Sequence, residues 1–152
     1  MSLNKQALIA NLSGRVDAQL KAILSSRDME LYKMMSYHLG WGGRPGDQQP
    51  VTTPKPAFRL HGTGCLVASQ AISGSFDNSV PAAVAVELLA SFVEIHDDIQ
   101  GGHPQRNGRD AVWWIWGPAQ AINAGDGMHA LARLAILELG REGVDADITF
   151  AA

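Results

Sequence analysis

The chain has 152 residues, of which 46% are hydrophobic, 18% charged and 7% aromatic. This composition excludes a disordered or collagen-like chain and predicts one globular domain over residues 1–152 with its own hydrophobic core. Because there is one cysteine, a formal net charge of −3 and no apolar run near the ~20 residues that cross a bilayer, we expect a cytoplasmic protein with no disulfide scaffold, no membrane span and no nucleic-acid partner.

The predicted elements are α-helices joined by loops. Apolar residues at three- and four-residue spacings indicate helices, and turns rich in glycine or proline separate them. We expect helices at about residues 4–25, 27–40, 58–73, 80–100 and 117–140. Ser26 is placed to cap the second helix. The last helix is apolar nearly all round, which predicts a position in the middle of a bundle. The fold class is therefore all-α, a helical bundle.

A long loop is predicted between the second and third helices. Residues 41–57 hold three glycines and four of the seven prolines, and they show no helical period. A loop of this length is either functional or mobile, and we favour a mobile loop. A strand-like pattern is confined to about residues 147–151.

Two adjacent carboxylates, Asp97 and Asp98, follow His96 at the carboxyl end of the fourth helix. Carboxylates there face an unfavourable helix dipole, so they are either well solvated or neutralised by a cation. A hard cation such as Mg²⁺ takes carboxylate oxygens and shares the phosphate oxygens of a substrate. Arg106 and Arg109 come next, either as a guanidinium clamp for a diphosphate or as neutralising partners of nearby acids. Both interpretations stay open.

The last helix contains two interior glycines, Gly125 and Gly127, on either side of Asp126. Each glycine costs about 1 kcal/mol relative to alanine, so close packing or a ligand must offset them. Asp126 lies in an apolar helix and needs a partner, which leaves a structural and a functional role open.

The order and spacing of these residues resemble a known family. The matching segments are Glu87-Leu88-Leu89, Ile95-His96-Asp97-Asp98-Ile99-Gln100, Arg106-x-Gly108-Arg109, Trp113 and Gln120-Ala121-Ile122-Asn123-Ala124-Gly125-Asp126. They are similar to the N-terminal half of a trans-isoprenyl diphosphate synthase (polyprenyl synthetase) over about residues 31–139. The resemblance implies half of an all-α isoprenoid-synthase fold, Mg²⁺ as cofactor, and an allylic diphosphate and isopentenyl diphosphate as substrates.

The resemblance also assigns roles to particular residues. It places Asp97 and Asp98, as catalytic and metal-binding residues, in the first aspartate-rich motif, which binds the Mg²⁺–diphosphate. It implies substrate binding by five further residues, namely Arg59, His61, Gln100, Arg106 and Asp126.

Three parts of the family pattern are altered in this chain. Gly101 stands where the motif has its third aspartate, so Asp97 has lost the carboxylate one helical turn away and metal affinity should fall. Asn107 replaces the second of two paired arginines, which weakens the diphosphate clamp. In the upstream Gly-Lys-Arg-x-Arg-Pro segment, Arg59 is retained while His61 replaces an arginine.

Two functions from different classes follow from this pattern. The first is a prenyltransferase that is complete only as a homodimer or with a C-terminal-half synthase subunit, which would supply the family's second aspartate-rich motif. The isolated chain is then weak or inactive. The alternative is a catalytically inactive, degenerate subunit or truncated fragment that acts as an interaction or isoprenoid-binding protein.

Overall fold

The computed structural model of the chain describes residues 2–44, 46, 58–145 and 147. Its helices are α1 (Ser2–Leu24), α2 (Glu30–His38), α3 (Leu60–Ser73), α4 (Val80–Gln100), α5 (Val112–Trp116) and α6 (Pro118–Leu137). There are also two short 3₁₀ turns, Asp77–Ser79 before α4 and Glu138–Gly140 after α6. Strands β1 (Gln105–Arg106) and β2 (Arg109–Asp110) form a small antiparallel hairpin between α4 and α5. The five predicted helices correspond to α1, α2, α3, α4 and α6.

The start of α2 differs from the prediction. Its N-cap residue is Met29, which makes no side-chain hydrogen bond to the helix end. Ser26 instead donates its hydroxyl hydrogen to the carbonyl oxygen of Ile23, at 2.6 Å. The predicted cap at Ser26 is therefore wrong, because that hydroxyl bonds back to the end of α1.

Two predicted segments fall largely outside the described residues. Of the predicted loop at 41–57, residues 41–44 and 46 are described, and they lie outside the helices and strands. Of the predicted strand at 147–151, the structure describes Asp147. Both remain predictions.

The chain divides into two compact units. The first unit comprises Met1–Leu20, Phe58–Leu89 and Ala130–Ala152, and the second comprises Lys21–Ala57 and Ala90–His129. That the whole chain forms a single domain stays a prediction.

A close approach of three helices organises the first unit. A Cβ atom at Gly62 in α3 would lie 2.9 Å from Val16 Cγ1 in α1 and 2.7 Å from the carbonyl oxygen of Ala83 in α4. These distances leave room for glycine alone. The Gly62 N–H also donates to Glu87 Oε2 at 2.9 Å. Larger apolar side chains of this unit are fully buried, among them Leu12, Leu20, Leu66, Val84 and Leu88.

The second unit packs around the glycines of α6. A Cβ atom at Gly125 would lie 2.3 Å from His96 Cε1, and one at Gly127 would lie 3.1 Å from Met35 Sδ. Close packing therefore accounts for both glycines, as one of the two sequence-based interpretations proposed. The buried side chains of this unit include Met34, Met35, Ile95, Val112 and Met128.

Helix α6 is not buried all round. Its buried residues are Met128 and several small residues, whereas Ile122, Leu134 and Leu137 are exposed. The predicted central position is therefore wrong for the described part of the chain. Apolar composition predicted burial on every side, but the structure buries Ala121, Ala124, Ala132 and Ala135 and leaves larger apolar side chains exposed.

One stretch among the described residues, Asp77–Gln100, is long and apolar enough to cross a membrane. The property rests on length and composition, and core helices of soluble proteins share it, so it is weak evidence for a span. The absence of a membrane span stays a prediction.

Candidate functional site

The end of α4 places its two carboxylates in different surroundings. The side chain of Asp98 is 3% exposed and that of Asp97 is 58% exposed. Neighbouring residues on a helix point about 100° apart, so α4 turns Asp98 inward with Ile95 and leaves Asp97 open. The pair therefore combines one fixed carboxylate with one that a ligand can approach.

A tight turn brings the next basic residue back to these acids. Asn107 and Gly108 link β1 to β2, with φ angles of +53° and +74°. A two-residue hairpin loop with positive φ at both positions is typical of a type I′ turn, for which Asn-Gly is a preferred sequence. The turn pairs Arg106 with Arg109 across the hairpin. The Asn107-Gly108 dipeptide was the sequence signal for this hairpin, although Asn107 was interpreted from the sequence as the replacement of an arginine.

Arg106 contacts three carboxylates. Its Nε atom donates to both oxygens of Asp98 at 2.9 and 3.0 Å, and Nη2 donates to Asp97 Oδ2 at 2.9 Å. Nη1 lies 3.9 Å from Glu94 Oε1. The hydrogen bond to Asp98 raises the pKa of Arg106 above its ordinary value, although partial burial opposes this. Arg106 therefore stays positively charged and neutralises part of the acidic cluster.

His103 lies against the same carboxylates. Its Nδ1 atom is 3.7 Å from Asp97 Oδ2 and 3.9 Å from Asp98 Oδ1. Asp97, Asp98 and His103 each offer a ligand atom within 4.8 Å of the other two, so they could hold a metal ion. His103 was not among the site residues predicted from the sequence. The sequence did contain a signal for it, because His103 lies two residues after Gly101, the position at which the motif has lost an aspartate.

Arg109 points to another part of the second unit. Its Nη1 and Nη2 atoms donate to the carbonyl oxygens of Tyr37 and Gly42, at 3.1 and 2.9 Å. The guanidinium carbon also lies 4.1 Å from the centre of the Tyr37 ring. The structure thus separates two arginines that the sequence treated alike, because Arg106 contacts the acids and Arg109 ties the hairpin to α2.

Asp126 is not the buried carboxylate that the sequence predicted, since its side chain is 66% exposed. Its Oδ1 atom lies 3.7 Å from Nε2 of His96, whose Nδ1 donates to the carbonyl oxygen of Phe92 at 2.9 Å. His96 therefore lies beside Asp126, whose carboxylate is solvated rather than buried. Gln100, also assigned to substrate binding, is exposed at the last position of α4.

Two of the assigned substrate-binding residues, Arg59 and His61, belong to the first unit. The Arg59 side chain is 4% exposed, and its Nε and Nη2 atoms donate to Asp17 Oδ1 at 2.8 and 2.7 Å. Its backbone N–H donates to Ser13 Oγ at 3.0 Å. His61 is half-exposed, with Nδ1 3.9 Å from Glu87 Oε2. These contacts give Arg59 a structural role, and substrate binding by either residue stays a prediction.

Comparison with known proteins places the chain in a family. Residues 55–150 match the model of the family described as Polyprenyl synthetase. The chain belongs to the polyprenyl synthetase family. This confirms the family predicted from the aspartate-rich motif and its neighbours.

Individual relatives agree with this membership. A (2E,6E)-farnesyl diphosphate synthase of Mycobacterium bovis is 34% identical over 122 residues, covering 78% of this chain and 32% of that protein. A geranylgeranyl diphosphate synthase of Methanosarcina mazei is 37% identical over 125 residues, covering 82% of this chain and 34% of the relative. This chain therefore spans about one third of the length of these curated relatives.

The fold is also that of the polyprenyl synthetases. The crystal structure of a polyprenyl synthetase from Streptomyces coelicolor A3(2) is similar, with a TM-score of 0.75 and 33% identity. The match covers 89% of this chain and 39% of that chain. The predicted all-α fold, equivalent to part of an isoprenoid synthase, is therefore confirmed.

Proposed function

We propose that this polyprenyl synthetase family member binds the diphosphate of an allylic prenyl substrate at Asp97 and Asp98 through Mg²⁺, and takes part in prenyl transfer to isopentenyl diphosphate. The observation that carries the proposal is the placement of Arg106, whose guanidinium lies 2.8 to 3.0 Å from both carboxylates. Two carboxylates suited to a metal ion thus lie beside a guanidinium suited to phosphate. The names of the relatives, farnesyl and geranylgeranyl diphosphate synthases, supply the class of reaction.

The residues at this site fit a divalent cation. Three carboxylates, those of Glu94, Asp97 and Asp98, surround the guanidinium of Arg106. Mg²⁺ prefers oxygen ligands and is bound by one or two carboxylates together with substrate phosphates. When bound, Mg²⁺ would neutralise the negative charge that develops on a departing diphosphate.

The chain's own residues prepare this site in complementary ways. Arg106 anchors Asp98, so one carboxylate is fixed before any ligand arrives. Asp97 is open to solvent, and its outer oxygen lone pairs are accessible. Because guanidinium donors match phosphate oxygens, Arg106 can exchange its bond to Asp97 for one to the diphosphate while it keeps its contact with Asp98.

The proposed reaction breaks the bond between the allylic carbon and the diphosphate oxygen, and the electron pair leaves on the diphosphate. The double bond of isopentenyl diphosphate then forms the new carbon–carbon bond, and a proton is lost. Donors that are already oriented toward the leaving group lower the barrier to such a step. Arg106 is the described residue that best meets this requirement.

We further propose that a second chain completes the site, either in a homodimer or as a C-terminal-half synthase subunit. Exposed apolar side chains in the second unit, Val93 on α4 and Ile122 on α6, support association through these helices. Sedimentation velocity of the purified chain should show a dimer at micromolar concentration. A monomer at all concentrations would contradict the homodimer and leave the separate subunit to be tested by co-purification.

The test of prenyl transfer supplies the purified chain with Mg²⁺, geranyl diphosphate and radiolabelled isopentenyl diphosphate. We expect slow formation of a longer labelled diphosphate, reduced about 10² to 10³ fold in Asp97→Asn, which is a typical cost of removing one electrostatic group. Asp77→Asn is the matched control, because this exposed carboxylate pairs with Arg15 in the first unit. Equal rates in the wild-type chain and Asp97→Asn would contradict the proposal.

The alternative function is binding without turnover, as an inactive subunit or fragment. Gly101 and Asn107 favour it, since each alters a position expected to contact diphosphate, and the retained Arg59 is buried against Asp17. Calorimetric titration with Mg²⁺ and inorganic pyrophosphate separates the two functions. Binding that depends on Asp97 but yields no labelled product would support the alternative.

A further inference from the structure

The backbone of His103 is held on both sides. Its N–H donates to the carbonyl oxygen of Asp98 at 2.9 Å, and its own carbonyl oxygen accepts from Trp113 Nε1 at 2.7 Å. Gly102, with φ of +63°, supplies the left-handed turn that reverses the chain after α4. The imidazole is therefore returned to the end of the helix that carries the two aspartates.

Gly101 makes room for the imidazole. A Cβ atom built at this glycine would lie 2.4 Å from Cε1 and 2.7 Å from Nε2 of His103. The ring thus occupies the space in which a side chain at position 101 would begin. Residue 101 is one helical turn beyond Asp97, so a group in this space shares a face with that carboxylate.

We infer that His103 is the third ligand of the metal site, in place of a side chain at position 101, and that the site prefers a divalent transition metal to Mg²⁺. This inference rests on the proposed metal binding by Asp97 and Asp98. It adds a ligand that lies outside the aspartate-rich motif and changes the metal that the motif is expected to hold.

The distances suit coordination after a small rotation of the ring. Metal–ligand bonds of about 2.1 Å place two ligand atoms of one ion roughly 3.0–3.5 Å apart. The Nδ1 atom of His103 is 3.7 and 3.9 Å from the nearer oxygens of Asp97 and Asp98. Because half of the imidazole is exposed, it can turn by the few tenths of an ångström that are needed.

The ligand atoms of the site determine which metal ion it prefers. Mg²⁺ takes oxygen ligands almost alone, so an imidazole nitrogen adds little to its binding. Imidazole suits cobalt, zinc and other first-row metals, whose affinity for nitrogen is higher. Two carboxylates and one imidazole therefore raise the affinity for Co²⁺ or Mn²⁺ more than that for Mg²⁺.

The test compares metals on the full chain in the presence of inorganic pyrophosphate. Calorimetry gives affinities for Mg²⁺, Mn²⁺ and Co²⁺, and pulsed electron paramagnetic resonance of bound Mn²⁺ detects a coordinated ¹⁴N nucleus. We expect ¹⁴N coupling in the wild-type chain and its loss in His103→Ala. We also expect Co²⁺ affinity to fall at least tenfold in this variant, with Mg²⁺ affinity changed less than threefold. His129→Gln is the control, since His129 packs on the Phe92 ring and should leave the ¹⁴N coupling unchanged.

A double variant tests the exchange of ligands directly. Gly101→Asp combined with His103→Ala puts a carboxylate into the space that the imidazole leaves. Mg²⁺ should then bind more tightly to the double variant than to His103→Ala alone. The preference for Co²⁺ should disappear. Wild-type ¹⁴N coupling in His103→Ala, or an equal fall for all metals, would overturn the inference while metal binding by the aspartates stands. Absence of metal binding by the wild-type chain would overturn both proposals.

Discussion

The Nε–H of Arg106 lies between the two carboxylate oxygens of Asp98, 2.9 Å from Oδ1 and 3.0 Å from Oδ2. Asp98 is almost fully buried, whereas part of Arg106 reaches solvent. The carboxylate therefore depends on the guanidinium more than the guanidinium depends on it, because a charge inside the protein needs a partner of opposite sign.

This dependence predicts the effect of removing Arg106. Arg106→Ala should lower the free energy of unfolding by about 2–4 kcal/mol, since it leaves the Asp98 carboxylate buried without its counter-charge. Adding Asp98→Asn should recover a large part of this loss, because the remaining amide is neutral. Urea denaturation of the single and double variants measures both effects. A single variant as stable as the wild-type chain would show that Asp98 has another partner.

The structural and substrate-binding roles of Arg59 can be separated by two substitutions. Its guanidinium is buried on Asp17, so Arg59→Ala should destabilise the chain by about 3–5 kcal/mol. Arg59→Lys keeps the positive charge but loses the paired donors, and we expect a smaller loss of stability. Urea denaturation gives these values, and calorimetry with isopentenyl diphosphate tests the substrate-binding role. Lost binding at unchanged stability in Arg59→Lys would favour that role over the structural one.

Two helix glycines should respond in opposite directions to alanine. Gly125→Ala should destabilise the chain by about 1–3 kcal/mol, because the new Cβ would lie 2.3 Å from the His96 ring. Gly14 in α1 has no neighbouring atom within 4 Å of an added Cβ, so Gly14→Ala should stabilise by about 0.5–1 kcal/mol. Thermal unfolding followed by circular dichroism measures both. A stabilised Gly125→Ala variant would contradict the close packing of α6 on His96.

The hairpin turn limits how the family's second arginine could be restored. Asn107 has φ of +53°, and a residue other than Gly, Asn or Asp in this region costs about 1–2 kcal/mol. Asn107→Arg should therefore lower stability by about that amount, whereas Asn107→Gly should leave it nearly unchanged. Equal stability of the arginine and glycine variants in urea would show that the turn is not of the left-handed type.

Cys65 gives a prediction about pH. Burial raises the pKa of this half-buried thiol, because the thiolate is poorly solvated there. The folded chain thus binds the thiol proton more tightly than the unfolded chain does. Stability from this group is complete below the pKa of the unfolded thiol, about 8.5, and falls as pH rises above it. Urea denaturation from pH 7 to 10 should show an alkaline loss that Cys65→Ala lacks, and iodoacetamide should react slowly at pH 7.

Apolar spacing was sufficient to predict the long helices, because each buries one face at regular intervals. It could not predict α5, whose five residues are too short to show a period. The hairpin strands have two residues each and no alternation, so the Asn107-Gly108 turn was their sole local signal. Elements of this size are determined by a turn or by tertiary packing, and neither leaves a periodic pattern in the sequence.

The site was predictable as a set of residue types but not as a set of orientations. Asp97, Asp98 and Arg106 were identified in sequence, and the structure brings them together. Spacing alone could not show that Arg109 binds backbone carbonyls, because those of Tyr37 and Gly42 are 72 and 67 residues away in the chain. Nor could it show that Arg59 is buried, because its partner Asp17 is 42 residues away in the chain.

The overlap between the His103 ring and a Cβ atom built at residue 101 makes the residues allowed at these two positions depend on each other. A lineage that carries histidine at 103 cannot acquire aspartate at 101 without first displacing the ring. A lineage with aspartate at 101 has no space for the ring in this pose. The effect of a side chain at 101 on stability should therefore depend on the residue at 103, so that substitutions at the two positions are not additive.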